Sequence, residues 1–197
     1  MVTEKFNNRY RILSARLASW DYSRNAIYFV TICTKNREHH FGRINNSKME
    51  LSETGLIAEK YWIEIPQHFP FVQLDAFIIM PDHVHGIIII DKSIDPPDLG
   101  GSIVETPKLG GSIVETPKLG VSTMNINKWQ SGTLGVIINQ YKRICTINAR
   151  LIEPGFSWQS RFYDIIIRDE RSFSKIKQYI HNNPLKWKDS PSNRVNR

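Results

Sequence analysis

The sequence predicts an α+β fold in which helices pack on an antiparallel sheet. Three observations carry that prediction. Strand-like and helix-like segments alternate in the order β, α, β, β, α, β, α, and the early part matches a split-βαβ arrangement. A Pro81-Asp82 turn separates two apolar runs and so makes them antiparallel neighbours. Finally, 197 residues suffice for one domain to bury its core without a disulfide or a metal staple.

Each element has its own warrant. The first two dozen residues are polar and basic (Lys5, Arg9, Arg11, Arg16) and read as an arm or a short strand. Ile27 to Thr34 is β-branched and aromatic, which favours a strand. Lys35 to Lys48 is a polar loop or hairpin. Ser52 is placed to cap a helix whose apolar positions Ile57, Tyr61 and Ile65 recur at helical spacing, with Pro66 as its end. Val72 to Met80 is the second strand. His83 to Asp91 is the third, apolar almost throughout, hence central and covered on both faces.

Leu134 to Leu151 is a helix with Leu134, Ile137, Ile138, Tyr141, Ile144 and Cys145 on one stripe. Pro154-Gly155 follows it. Phe162 to Arg168 is the fourth strand. A last helix from about Ser172 buries Phe173, Ile176 and Ile180 and stops before Pro184. Between the third strand and the long helix the unit LGGSIVETPK occurs twice in succession, at 99–108 and 109–118. Two ten-residue copies cannot stack into a solenoid, and their Gly and Pro argue for a flexible insertion at about 93–128. The tail at about 188–197 is polar. The expectation is a single domain over 1–197.

Composition narrows the function. Lys and Arg number 26 against 19 Asp and Glu, a net charge of +7, which suggests an anionic partner such as nucleic acid. Cys33 and Cys145 lie far apart and form no CxxC pair, which excludes a disulfide scaffold or a zinc ribbon. Met1 to Arg16 has no apolar core of a signal peptide, and apolar runs such as Ile87 to Ile90 are too short for a membrane span. A cytoplasmic protein with no membrane partner is expected.

Two constellations could carry chemistry. His83 and His85 flank Val84, and on a strand residues two apart project from one face, so both imidazoles can grip one divalent cation. Two unrelated strand histidines would give the same string. Their place at the mouth of an apolar strand is expensive unless they bind something. The second constellation is YIHNNP, Tyr179 to Pro184. Tyr179 and Asn183 are four apart and would share a helix face, offering a phenol and an amide oxygen. A core tyrosine and a helix-capping asparagine would look alike. His181 points away from that pair, and His39, His40 and His68 lie in polar stretches without an assigned role.

The string FIIMPDHVHGIIII resembles the HUH motif region of the REP-associated tyrosine transposases, relatives of the single-tyrosine insertion-sequence transposases. Trp158-Gln159, RFYDIIIRDE and YIHNNPLKW resemble that family's C-terminal block in order and spacing, and WDYSRNAIYFVTICTKNRE its first strand. The resemblance covers most of the chain apart from the insertion and the last few residues. It implies a ferredoxin-like antiparallel sheet of the HUH endonuclease and transposase type. It implies further that Tyr179 is the nucleophile and that His83, His85 and Asn183 hold the metal. Insertion-sequence relatives often have glutamine at that last position, so the asparagine points to the REP-associated branch. Tyr141 and Tyr163 lack a polar ligand candidate four residues on.

The expected chemistry is cleavage and transfer of single-stranded DNA through a 5′-phosphotyrosine, assisted by Mg²⁺ or Mn²⁺. Two imidazoles and an amide oxygen suit Mn²⁺ somewhat better than Mg²⁺. The resemblance adds a hairpin-bearing DNA substrate, with the protein a monomer or homodimer. Lys142, Arg143 and Arg161 are candidate DNA-binding residues, since basic side chains near aromatics suit a phosphate-tracking surface. Two rival readings share the residues. One is a domesticated hairpin-binding protein that does not cut. The other is an HUH replication initiator or relaxase, which the short chain with no helicase disfavours.

Overall fold

The computed structural model describes residues 20–93 and 132–187, with the backbone of 5–6 and 9–10. Lys5–Phe6 (β1) and Arg9–Tyr10 (β2) pair as a small antiparallel ribbon. The repeat-bearing insertion and the C-terminal tail lie outside the described residues.

Long β-branched and aromatic stretches supply the main sheet. Ala26–Cys33 (β3), Val72–Met80 (β6), His83–Ile90 (β7) and Tyr163–Ile167 (β8) form it in the order β6-β7-β3-β8, every neighbour antiparallel. A second ribbon, Gly42–Asn45 (β4) with Lys48–Leu51 (β5), follows a short 3₁₀ turn at Lys35–Arg37. Its turn residues Asn46 and Ser47 both have positive φ, 49° and 60°, the handedness that matches strand twist. The polar stretch from Lys35 is therefore a turn and a hairpin.

Helices α1 (Glu53–Ile63) and α3 (Leu134–Ala149) cross between strands on one face of the sheet. With that strand order the core is ferredoxin-like. Tyr28, Val30, Ile32, Val84, Ile88 and Ile90 meet Trp62, Ile137, Ile138 and Tyr141 there. The opposite face carries Phe29, Ile87 and Ile167, packed under Ile180 of helix α4 (Glu170–His181). Alternation along β7 thus sends Val84, Gly86 and Ile88 to one layer, and His83, His85 and Ile87 to the other.

Local signals hold at the caps. The Ser52 hydroxyl accepts from the Gly55 amide and starts α1. Asp169 does the same for Ser172, so α4 begins two residues earlier than expected, at Glu170. Three expectations are corrected. The buried stripe of α1 runs through Thr54, Ala58 and Trp62, with Ile57 and Tyr61 at its flank, because Trp62 is the side chain that reaches the sheet. Pro66 does not end α1; it sits in the first turn of a separate short helix α2 (Ile65–His68), where its missing N–H costs nothing. Tyr179 and Asn183 do not share one helix. Asn182 caps α4, and Asn183 opens a one-turn helix α5 (Asn183–Lys186), with Pro184 again in the first turn.

Candidate active site

His83 and His85 stand side by side at the start of β7, each only 5% exposed, their ring centroids 4.4 Å apart. Each ring has one nitrogen already engaged. His83 Nδ1 lies 2.5 Å from Asp82 Oδ1, and His85 Nδ1 lies 2.9 Å from the Thr31 hydroxyl on the neighbouring strand β3. That leaves the two Nε2 atoms as the available ligand nitrogens. Aromatic walls fix the rings: Phe29 stacks on His85 at 5.2 Å, and Trp187 on His83 at 5.9 Å.

Helix α4 brings the phenol to this pair. Its apolar edge seats Ile180 on the sheet, which turns Tyr179, one residue earlier, to the rim of the same cavity. The Tyr179 hydroxyl is 3.4 Å from His85 Nε2, and the residue is 45% exposed. A cleft of about 350 Å³ is lined by Thr31, Arg37, His83, His85, Tyr179, Asn183, Lys186 and Trp187. Asn183 is buried on its wall although it belongs to α5, because the chain stays near-helical through Asn182 (φ −86°, ψ 1°). The four residues singled out by the two constellations therefore come together.

Burial pushes both imidazoles below the ordinary histidine range. Asp82 opposes this for His83, whereas for His85 the adjacent His83 adds to it and the lowering is large. Both rings are consequently neutral near pH 7, with lone pairs free for a cation. Among the described residues no three His, Cys, Asp or Glu side chains gather as a metal cluster. A divalent ion here would rest on two imidazole Nε2 atoms and the Asn183 amide oxygen, a donor set suited to Mn²⁺.

The other tyrosines are differently placed. Tyr141 is buried in the opposite layer, its hydroxyl donates to the Ala58 carbonyl, and burial drives its phenol well above the ordinary range. Tyr163 is exposed on the edge strand β8, opposite Thr31. The basic candidates do not line the cleft. Lys142 donates to the carbonyls of Gln159 (2.7 Å) and Arg161 (3.2 Å), so its ammonium staples the segment before β8. Arg161 lies in that segment with φ 74°. Arg143 borders a separate cavity beside Tyr61, His68 and Phe69, on the far face of the sheet.

Several contributors escaped the sequence reading, Asp82, Thr31 and Arg37 among them. Asp82 was legible only as a turn residue, and Thr31 as one more β-branched strand residue. Arg37 reaches the site because Asn36 and Arg37, at φ 54° and 61°, both take left-handed backbone, so the turn folds back over the end of β3. Its Nε lies 2.9 Å from Asp82 Oδ2, and its Nη1 donates to Cys33 Sγ at 2.7 Å. Asp82 has no exposed surface. The buried carboxylate directly preceding the first histidine was the available signal.

No family model matches the chain. A solved structure of a REP-associated tyrosine transposase bound to a REP hairpin is similar at 17% identity and a TM-score of 0.48, over 89% of this chain and 80% of that one. A likeness of that size leaves the site to its own geometry. An uncharacterized protein of Haemophilus influenzae is 36% identical over 188 residues, which is 94% of this chain and 96% of that protein. With more than a third of positions shared across nearly the whole of both chains, the protein belongs to the family of that Haemophilus influenzae protein.

Proposed function

We propose that the protein cuts and rejoins single-stranded DNA, with Tyr179 as nucleophile, at hairpin-forming sequences. One observation carries this reading: an exposed phenol stands 3.4 Å from a buried imidazole whose partner imidazole and a buried amide border the same cleft. A purely structural tyrosine would bury its ring against the core, as Tyr141 does. The motif resemblance and the charge of +7 support DNA as substrate, and the resemblance alone supplies the hairpin.

The chain's own residues suit the steps. Tyr179 projects its oxygen into the cleft, from where it can attack phosphorus in line with the departing 3′ oxygen. The new bond is P–O(Tyr179); the bond that breaks is P–O3′. The phenol gives up its proton and the leaving oxygen takes one up, which yields a 5′-phosphotyrosine and a free 3′-hydroxyl. The phosphodiester's energy stays in the covalent link, so reversal onto another 3′-hydroxyl rejoins strands without ATP. His83, His85 and Asn183 would hold Mn²⁺ or Mg²⁺, which supplies Lewis-acid polarisation of the scissile phosphate. Arg37 and Lys186 line the same cleft and place positive charge near the bound phosphate.

The test is incubation with a labelled single-stranded hairpin oligonucleotide and Mn²⁺. A covalent adduct on a denaturing gel, lost with chelator, is expected. Retarded migration on a native gel with no covalent species at any metal concentration would leave a hairpin-binding protein that does not cut.

A further inference from the structure

We infer that Asp82, itself oriented by Arg37, is a positioning residue that holds His83 in the tautomer with its proton on Nδ1 and its lone pair on Nε2. This rests on the reading of His83 as a metal ligand. An imidazole can ligate only through an unprotonated nitrogen, and which nitrogen that is depends on what the other one meets. His83 Nδ1 meets a carboxylate oxygen at 2.5 Å. A carboxylate only accepts, so the proton must lie on Nδ1.

The carboxylate is held in turn. Asp82 has no exposed surface, its backbone carbonyl accepts from the Thr34 amide at 2.9 Å and the Thr34 hydroxyl at 3.0 Å, and its second oxygen faces Arg37 Nε at 2.9 Å. The guanidinium is in ion-pair contact with that oxygen, without a well-aligned hydrogen bond to it, and the other oxygen meets His83. Two successive left-handed residues aim Arg37 there, an arrangement that persists where surrounding structure over-determines it. His85 differs. Its Nδ1 meets the Thr31 hydroxyl, which can donate or accept, and its ring also hydrogen-bonds the Val30 backbone, so no carboxylate acts on it.

The decisive variant is Asp82→Asn, which keeps the shape but makes one terminal group a donor. Arg37 attracts the amide oxygen, and the amide NH₂ is then left facing His83 Nδ1. The ring must answer by moving its proton to Nε2, which removes the ligand lone pair. A second change should undo this: in Asp82→Asn/Arg37→Met no cation claims the oxygen, so the amide can turn it toward His83. Purely structural damage would not be repaired by removing a further side chain.

The readout is a long-range ¹H–¹⁵N correlation spectrum of metal-free, ¹⁵N-histidine-labelled protein near neutral pH, with a Mn²⁺ titration alongside. Wild type should show His83 protonated on Nδ1. Asp82→Asn should shift the proton to Nε2 and weaken Mn²⁺ binding about ten- to a hundredfold. The double variant should recover the Nδ1 proton and most of the affinity. Wild-type His83 protonated on Nε2 overturns the assignment, and that spectrum alone decides the matter if Asp82→Asn fails to fold. An unchanged tautomer and affinity in Asp82→Asn overturns it too, as does loss without recovery in the double variant. Because the spectrum needs no DNA, the two proposals separate. The predicted tautomers with no DNA adduct would sink the proposed activity alone, and an adduct with unchanged tautomers would sink the positioning role alone.

Discussion

Tyr179 suits the proposed nucleophilic role through what it lacks. Its hydroxyl has a single 3.4 Å contact and its ring is nearly half exposed, so nothing in the packing requires the oxygen. Tyr179→Phe keeps the ring beside Phe29 (centroids 6.1 Å apart) and should change stability by less than about 1 kcal/mol. The covalent DNA adduct should vanish, and peptide mapping of the wild-type adduct should place the nucleotide on Tyr179. Tyr141→Phe should do the opposite. It removes a buried hydrogen bond to the Ala58 carbonyl, which keeps its helical partner, at a cost of about 0.5–1.5 kcal/mol, read as a fall in the denaturation midpoint, and leaves the adduct intact. An adduct mapping to Tyr141 or Tyr163 would overturn the nucleophile assignment. Strand alternation put the two histidines on one face, whereas Tyr179 was singled out by the motif resemblance, since its spacing alone fits a core tyrosine as well. Asp82 and Thr31 were not legible, since a side chain that acts through its neighbour leaves no spacing of its own.

Elements explain why these residues meet. β7 lies between β6 and β3, so its two faces serve two layers, one holding the histidines and the other receiving Trp62 from α1. Gly86 lets that tryptophan in: a Cβ there would come within 2.2 Å of the Trp62 ring. Gly86→Ala should therefore destabilise the protein by about 1–3 kcal/mol, as overpacking does, and denaturant unfolding would measure it. Substitution without loss of stability would mean that α1 can shift freely on the sheet. This packing also accounts for the misjudged stripe of α1. Periodicity pointed to Ile57, Tyr61 and Ile65, but the stripe containing Trp62 opposite Gly86 won, a pairing between distant elements that no local window contains. Asn183 fails in a similar way at the level of elements while succeeding in space. Four-residue spacing predicted one helix, Pro184 enforced a new one, and the shallow bend at Asn182 kept both side chains at the same cleft.

At the scale of the whole molecule, the succession of strands and helices was legible from residue patterns, whereas the ferredoxin-like sheet came from the motif resemblance. The two-residue turn sets the register from Met80–His83 to Phe77–Gly86, which then shifts between Phe77 and Leu74, and the crossover helices follow from the hydrophobic period. The basic surface was not legible, because a count of charges carries no direction: Lys142 turns inward to loop carbonyls and Arg143 lies across the sheet from the cleft. The insertion offers the corresponding test of independence. Its flanks are joined by the folded part itself, since Lys92 donates to the Ser23 carbonyl at 2.7 Å and its side chain lies 3.0 Å from where a Gly132 Cβ would sit. A connection whose ends are already held together should tolerate a change in length. Loop-closure entropy grows only as the logarithm of length, so removing one LGGSIVETPK copy alters stability by roughly 0.3 kcal/mol. Thermal unfolding of the shortened protein should match wild type to within about 2 °C. The adduct yield should be unchanged as well. A marked drop in melting temperature would show that the repeat is packed against the core. A stable protein that no longer forms the adduct would show instead that the repeat takes part in holding DNA.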